Sequence, residues 1–154
     1  MREILFRGKR TDNGEWVEGS LVSALDNGKD LWYIIPFSAE RCGGYEFNDG
    51  AQVDFRTVGQ DTGLRDKNGK RIFEGDVVLF CDRPLIVAWS EETFGWQAKA
   101  HEHADRRFPH DKYWNVIDLG WIAAEVTCSG QMTTEVIGNI YDNREWREPV
   151  RWIE

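Results

Sequence analysis

The stretch Thr57-Val58-Gly59-Gln60-Asp61-Thr62-Gly63-Leu64-Arg65-Asp66-Lys67-Asn68-Gly69-Lys70-Arg71-Ile72-Phe73-Glu74-Gly75-Asp76-Val77-Val78 decides the fold class. It opens at the end of Val53–Val58, where apolar and polar residues alternate with the period of a half-buried strand. Thr62-Gly63 and Asn68-Gly69 are turn formers, because Asn tolerates positive φ and Gly adopts it without a Cβ clash. Ile72-Phe73 reads as core, and Gly75-Asp76 as a bend into the strand Val77–Phe80. Strand, turn, strand and bend within so few residues make this a β protein built from short pieces.

Outward from there the same grammar repeats. Asp12-Asn13-Gly14, Asp26-Asn27-Gly28 and Asn48-Asp49-Gly50 are further turn signals. Between them lie Ile4–Arg7, Glu15–Val22 and Leu31–Ile35, the last closed by Pro36. Residues 38–52 are polar and glycine-rich and read as a loop. Towards the C-terminus, Leu85–Trp89 and Gly95–Ala100 are strands joined by a polar Ser90–Thr93 turn, and Val136–Tyr141 is a closing strand. Helical spacing is confined to Trp114–Val126, weakened by Gly120, and a short terminal helix is expected near Asn143–Arg147. Several short strands at this spacing imply a mainly β fold, a small barrel or sandwich with little helix.

A chain of 154 residues can bury a core without staples. Its 41% hydrophobic and 13% aromatic content argues against disorder. No apolar run is long enough to span a bilayer, and the charged start Met1–Gly8 is unlike a secretory leader. The three cysteines, Cys42, Cys81 and Cys128, are odd in number and form no C-x-x-C. Together these features point to a cytoplasmic protein with reduced thiols and no membrane partner. The net charge is −8, and it is uneven. Residues 1–71 carry 11 basic and 12 acidic groups, residues 72–154 carry 8 and 15, so the C-terminal part repels phosphate backbones.

Chemistry is sparse. Placing Gly69 at the sixth position of a calcium loop leaves Leu64 and Gly75 where carboxylates are required, so Asp66–Gly69 is a hairpin turn. His101 and His103 share a face if extended, with His110 nearby, and define the one metal set worth a measurement. The plainer reading is a solvated loop, and no cofactor is expected. No G-x-S-x-G, P-loop or G-x-G-x-x-G occurs. Glu74 and Asp76 pair in form, but beside Gly75 they mark a bend or a sheet edge. Arg65, Lys67, Lys70 and Arg71 put four cations in seven residues, a nucleic-acid candidate opposed by the net charge and by the lack of an aromatic–basic stripe. Most of the 8 tryptophans belong in a core. Trp146 and Trp152, with Arg147 and Arg151 between and beside them, are the candidates to anchor a partner chain or a second copy.

The Thr57–Val78 stretch resembles the central signature of the YopX family, small proteins of bacteriophages and prophages. Ile4–Lys9 with Trp16–Gly19 at the front, and Glu135–Asn143 at the back, are similar to it as well. The resemblance implies a mostly β fold with an SH3-like barrel region, a prophage origin and an oligomeric tendency, and it implies no reaction. On this reading residues 1–52 form a hairpin and meander region with its loop, 53–143 the SH3-like barrel region packed as one unit with it, and 144–154 a tail. The leading expectation is a non-catalytic interaction or regulatory module, a homo-oligomer that contacts a host or phage protein. A nucleic-acid-binding barrel using Arg65–Arg71 comes second, and a metal-dependent hydrolase on His101, His103 and His110 third.

Overall fold

The computed structural model describes residues 4–36, 50–80, 82–100, 116–124 and 133–146. It is mainly β, a closed four-stranded barrel plus another sheet, with little helix. The chain divides into two compact units, Met1–Asp61 and Thr62–Glu154, and the division falls inside a single strand.

The first unit begins with β1 (Phe6–Arg10), β2 (Trp16–Asp26), β3 (Lys29–Pro36) and the long β4 (Ala51–Arg65). These strands run antiparallel in sequence order, and β4 returns to pair with β1, which closes the barrel. The two-residue connection between β2 and β3 is Asn27-Gly28, both at positive φ, as a tight hairpin requires. Leu5, Ile34 and Val53 are buried. Closure is irregular. Arg7 pairs with Gly59 but Lys9 pairs with Asp54, so Phe55–Val58 stand out from the ladder. Thr57 braces the bulge, its Oγ1 accepting from Lys9 N–H (2.8 Å) and donating to the Asp54 carbonyl (2.7 Å). β4 thus begins at Ala51, inside the stretch read as a loop, because Ala51 and Gln52 pair with β3, and up to Asp61 it belongs with the front hairpin.

The second unit holds β5 (Arg71–Phe73), β6 (Asp76–Phe80), β7 (Arg83–Ser90), β8 (Gly95–Ala100), β9 (Val116–Asp118), helix α1 (Leu119–Ala124), β10 (Glu135–Asn139) and a 3₁₀ turn, Arg144–Trp146. Its sheet runs β10-β6-β7-β8-β9, all neighbours antiparallel. Alternation decides what is inside. Val78 and Phe80, Leu85 and Val87, and Trp96 and Ala98 lie on one face, and Leu119, Ile122 and Ala123 of α1 cover them. Each of the larger side chains in this set contributes about 1.5–3 kcal/mol by leaving water, and each alanine methyl about 0.8 kcal/mol.

One expectation is corrected here and one is narrowed. The helix anticipated over Trp114–Val126 is, among the described residues, only Leu119–Ala124, because Val116–Asp118 pairs with β8 as a strand. Asp118 then caps the helix, its Oδ1 accepting from Trp121 N–H (2.8 Å). Glu74 and Asp76 do mark a bend, but not an edge, since β6 lies between β10 and β7. Asp76 is buried, and its Oδ2 accepts from Phe73 N–H (2.8 Å) across the turn. Among the described residues no helix is long and apolar enough to cross a membrane.

Candidate functional site

Asp66, the first residue of the Asn68-Gly69 turn, is held by several backbone donors at once. Gly69 sits at φ 77°, and its N–H donates to the Asp66 carbonyl (2.9 Å). The Asp66 side chain is buried and accepts three backbone N–H bonds. Oδ1 takes those of Asn68 (2.8 Å) and Lys70 (2.9 Å), and Oδ2 takes that of Val136 (3.0 Å), seventy positions away in sequence. Lys67 N–H donates to the Thr134 carbonyl (2.9 Å), and the Lys67 ammonium pairs with the Glu135 carboxylate. Thr134 Oγ1 in turn donates to the Ile122 carbonyl of α1 (2.7 Å). One carboxylate thus holds a turn closed and fastens it to β10. Burial alone pushes the Asp66 carboxyl up. The N–H donors of Val136, Lys70 and Asn68, with the Lys70 charge, outweigh it and hold the group below the ordinary aspartate value.

The neighbouring signature residues are engaged in the same way. Thr62 Oγ1 donates to the Ile72 carbonyl (2.7 Å) and accepts from Leu64 N–H (3.2 Å), so its hydroxyl is a backbone clip. In the back segment Asn139 Oδ1 accepts from the N–H groups of Tyr141 and Asp142 (both 2.9 Å). Asn143 Oδ1 accepts from Asn139 N–H (3.1 Å). These are interlocking turns.

The four cations read from the sequence do reach one hairpin, but they are not equivalent. Arg65 Nη1 donates to the Gly69 carbonyl (3.0 Å), and Lys67 is paired with Glu135. Lys70 is exposed and Arg71 half-buried on β5. Trp146 ends the 3₁₀ turn half-buried, its N–H donating to the Asn143 carbonyl (3.1 Å). Arg147, Arg151 and Trp152 lie outside the described residues, as do His101, His103, His110 and all three cysteines. Among the described residues no group of three or more His, Cys, Asp or Glu could hold a metal ion.

Sequence reading took the connection between β7 and β8 as a polar Ser90–Thr93 turn and gave it no functional role. Ser90 pairs with Gly95, and Glu91–Phe94 connect them. Phe94 lies at φ 50° and is 78% exposed, a bulky aromatic in the left-handed region. Thr93 steadies the loop, its Oγ1 accepting from Gln97 Nε2 (3.1 Å). One step down the ladder, Trp89 is 39% exposed and meets Trp96 edge-on, ring centroids 5.1 Å apart. The available signal was Phe94-Gly95 closing a four-residue connection, a place where Gly or Asn is ordinary.

Comparison with known proteins gives three results. The sequence model of the family described as YopX protein matches residues 5–146. No curated protein matches the chain. A solved structure, the crystal structure of protein EF1440 from Enterococcus faecalis, is similar at 22% identity and a TM-score of 0.44, covering 96% of this chain and 100% of that one.

Proposed function

Because the chain belongs to the YopX protein family, whose model spans residues 5–146, we propose that it is a non-catalytic protein-interaction or regulatory module of phage or prophage origin, working in a bacterial cytoplasm. One observation carries this reading. Asp66, Thr62, Asp76, Asn139 and Asn143 all give side-chain oxygens to backbone partners, so the signature builds a scaffold. Among the described residues, the second unit also leaves five large apolar side chains exposed: Trp89, Phe94, Val116, Trp121 and Ile137. Exposed aromatics on an acidic surface suit a protein partner better than a nucleic acid. The Lys67–Glu135 pair further weakens the Arg65–Arg71 hairpin as a phosphate contact.

Affinity purification of the full chain from a bacterial lysate tests the proposal. A stoichiometric protein partner, released by salt if charges steer it, is the expected result. No such partner under any growth or salt condition overturns it. The reading also keeps a homo-oligomer joined through Trp146, Arg147, Arg151 and Trp152. Light scattering at about 100 μM, a concentration that reveals even weak association, would return a monomer if that interface is wrong.

A further inference from the structure

Folding by itself does not ask for the residue at position 94. Gly takes a positive φ at this place without the clash between Cβ and carbonyl that an aromatic residue meets, and Asn offsets that clash by local side-chain hydrogen bonding. The ring is not compensated by burial, for it is 78% exposed. Backbone strain of this kind persists where a side chain is needed for something else. Beside Phe94 stand Glu91 and Glu92, both exposed, and the half-exposed Trp89. One end of the β7–β8 hairpin therefore presents two aromatic side chains and two carboxylates.

We propose that this hairpin end docks an arginine-bearing segment of another protein, an assignment that rests on the interaction-module reading above. Charge selects the partner. Two carboxylates on a chain of net charge −8 repel phosphate backbones and anionic lipid headgroups, and a second copy of the same loop brings like charges together. A guanidinium satisfies both features of the site, pairing with carboxylates in a planar fork and stacking on an aromatic face. Phe94 supplies the exposed aromatic surface, which an apolar residue beside the arginine covers.

The test is to pan a displayed library of random short peptides against the full chain, then measure the enriched peptides on variants. Phe94→Asn is the decisive variant, since Asn accepts positive φ and keeps the loop folded. Enriched peptides should carry Arg next to an apolar residue. Their affinity should fall about tenfold or more on Phe94→Asn, the loss expected of a removed aromatic anchor. The double variant Glu91→Gln with Glu92→Gln should weaken them and flatten their salt dependence. Peptides that bind Phe94→Asn as well as the parent overturn the hairpin assignment but leave the module reading intact. An absence of enriched peptides overturns the assignment too, and the module reading then stands or falls with the lysate purification.

Discussion

Two connections in the second unit, Asp66–Lys70 and Glu91–Phe94, solve the same problem with opposite chemistry. Each reverses the chain and places one residue at positive φ. In the first, that residue is Gly69, which has no Cβ to clash, and a buried carboxylate satisfies three backbone donors. In the second it is Phe94, strained and exposed, beside the exposed Glu91 and Glu92, with Ser90 Oγ accepting from Thr93 N–H (3.4 Å). The lesson is that the conspicuous motif is structural, while the unremarkable loop holds the feature that folding leaves unexplained.

Removing the clasp should break the comparison most visibly. Asp66→Ala strands three partly buried N–H groups, and an unpartnered donor costs up to about 1–3 kcal/mol when fully buried and less where water reaches it. A fall in stability of about 2 kcal/mol is expected by denaturant unfolding, read from the midpoint at unchanged slope. A loss below about 1 kcal/mol would show that the turn does not depend on its carboxylate. Asp66→Asn should be milder, since one amide oxygen can still accept while its NH₂ opposes a donor.

Acid sharpens the same point. The Asp66 carboxyl lies below its ordinary value in the folded chain, so its contribution to stability is complete above the unfolded value of about 3.9. That contribution drains away as pH falls through the lowered folded value. Asp12 and Asp54 are also held low, by Arg10 and Arg56 respectively, so the useful quantity is the gap between parent and Asp66→Asn. That gap should narrow below about pH 4. A gap that stays constant down to acid unfolding would remove the charge of Asp66 from the account.

Substitution at the two positive-φ positions should give opposite signs. Gly69→Ala meets open space around the new Cβ, so its cost is conformational alone, about 1 kcal/mol. Phe94→Asn should raise stability by about 0.5 kcal/mol as the strain is relieved. Thermal unfolding of both variants checks the pair, and the same sign for both would refute the contrast. Smallest of all is the Lys67–Glu135 ion pair. Both side chains are partly exposed, and a double-mutant cycle should give a few tenths of a kcal/mol, weakening with salt.

Much of this architecture was legible from the residues. Asn27-Gly28 and Asn68-Gly69 turn the chain where they stand because φ preference is local and needs no partner. Alternation through Leu85–Trp89 and Gly95–Ala100 placed two strands, since a buried face demands period two. The 3₁₀ turn at Arg144–Trp146 falls within the short terminal helix expected near Asn143–Arg147. Other features had no local signal. That β4 curls back onto β1 depends on pairing between residues about fifty positions apart, and its bulge at Phe55–Val58 depends on the Thr57 hydroxyl finding Lys9. Val116–Asp118 became strand in place of helix because β8 offered an unpaired edge.

The candidate site divides along the same line. Composition and spacing were enough to expose the cations of Arg65–Arg71 and to dismiss the calcium loop, because those are questions of residue type and count. They could not show that Asp66 reaches Val136, that Lys67 is taken by Glu135, or that Phe94 carries a left-handed backbone. Local conformational preference is written residue by residue, and the sequence by itself settles it. Which groups meet across the sheet, and which are left facing water, is a property of the packed chain and is decided only when distant segments come together.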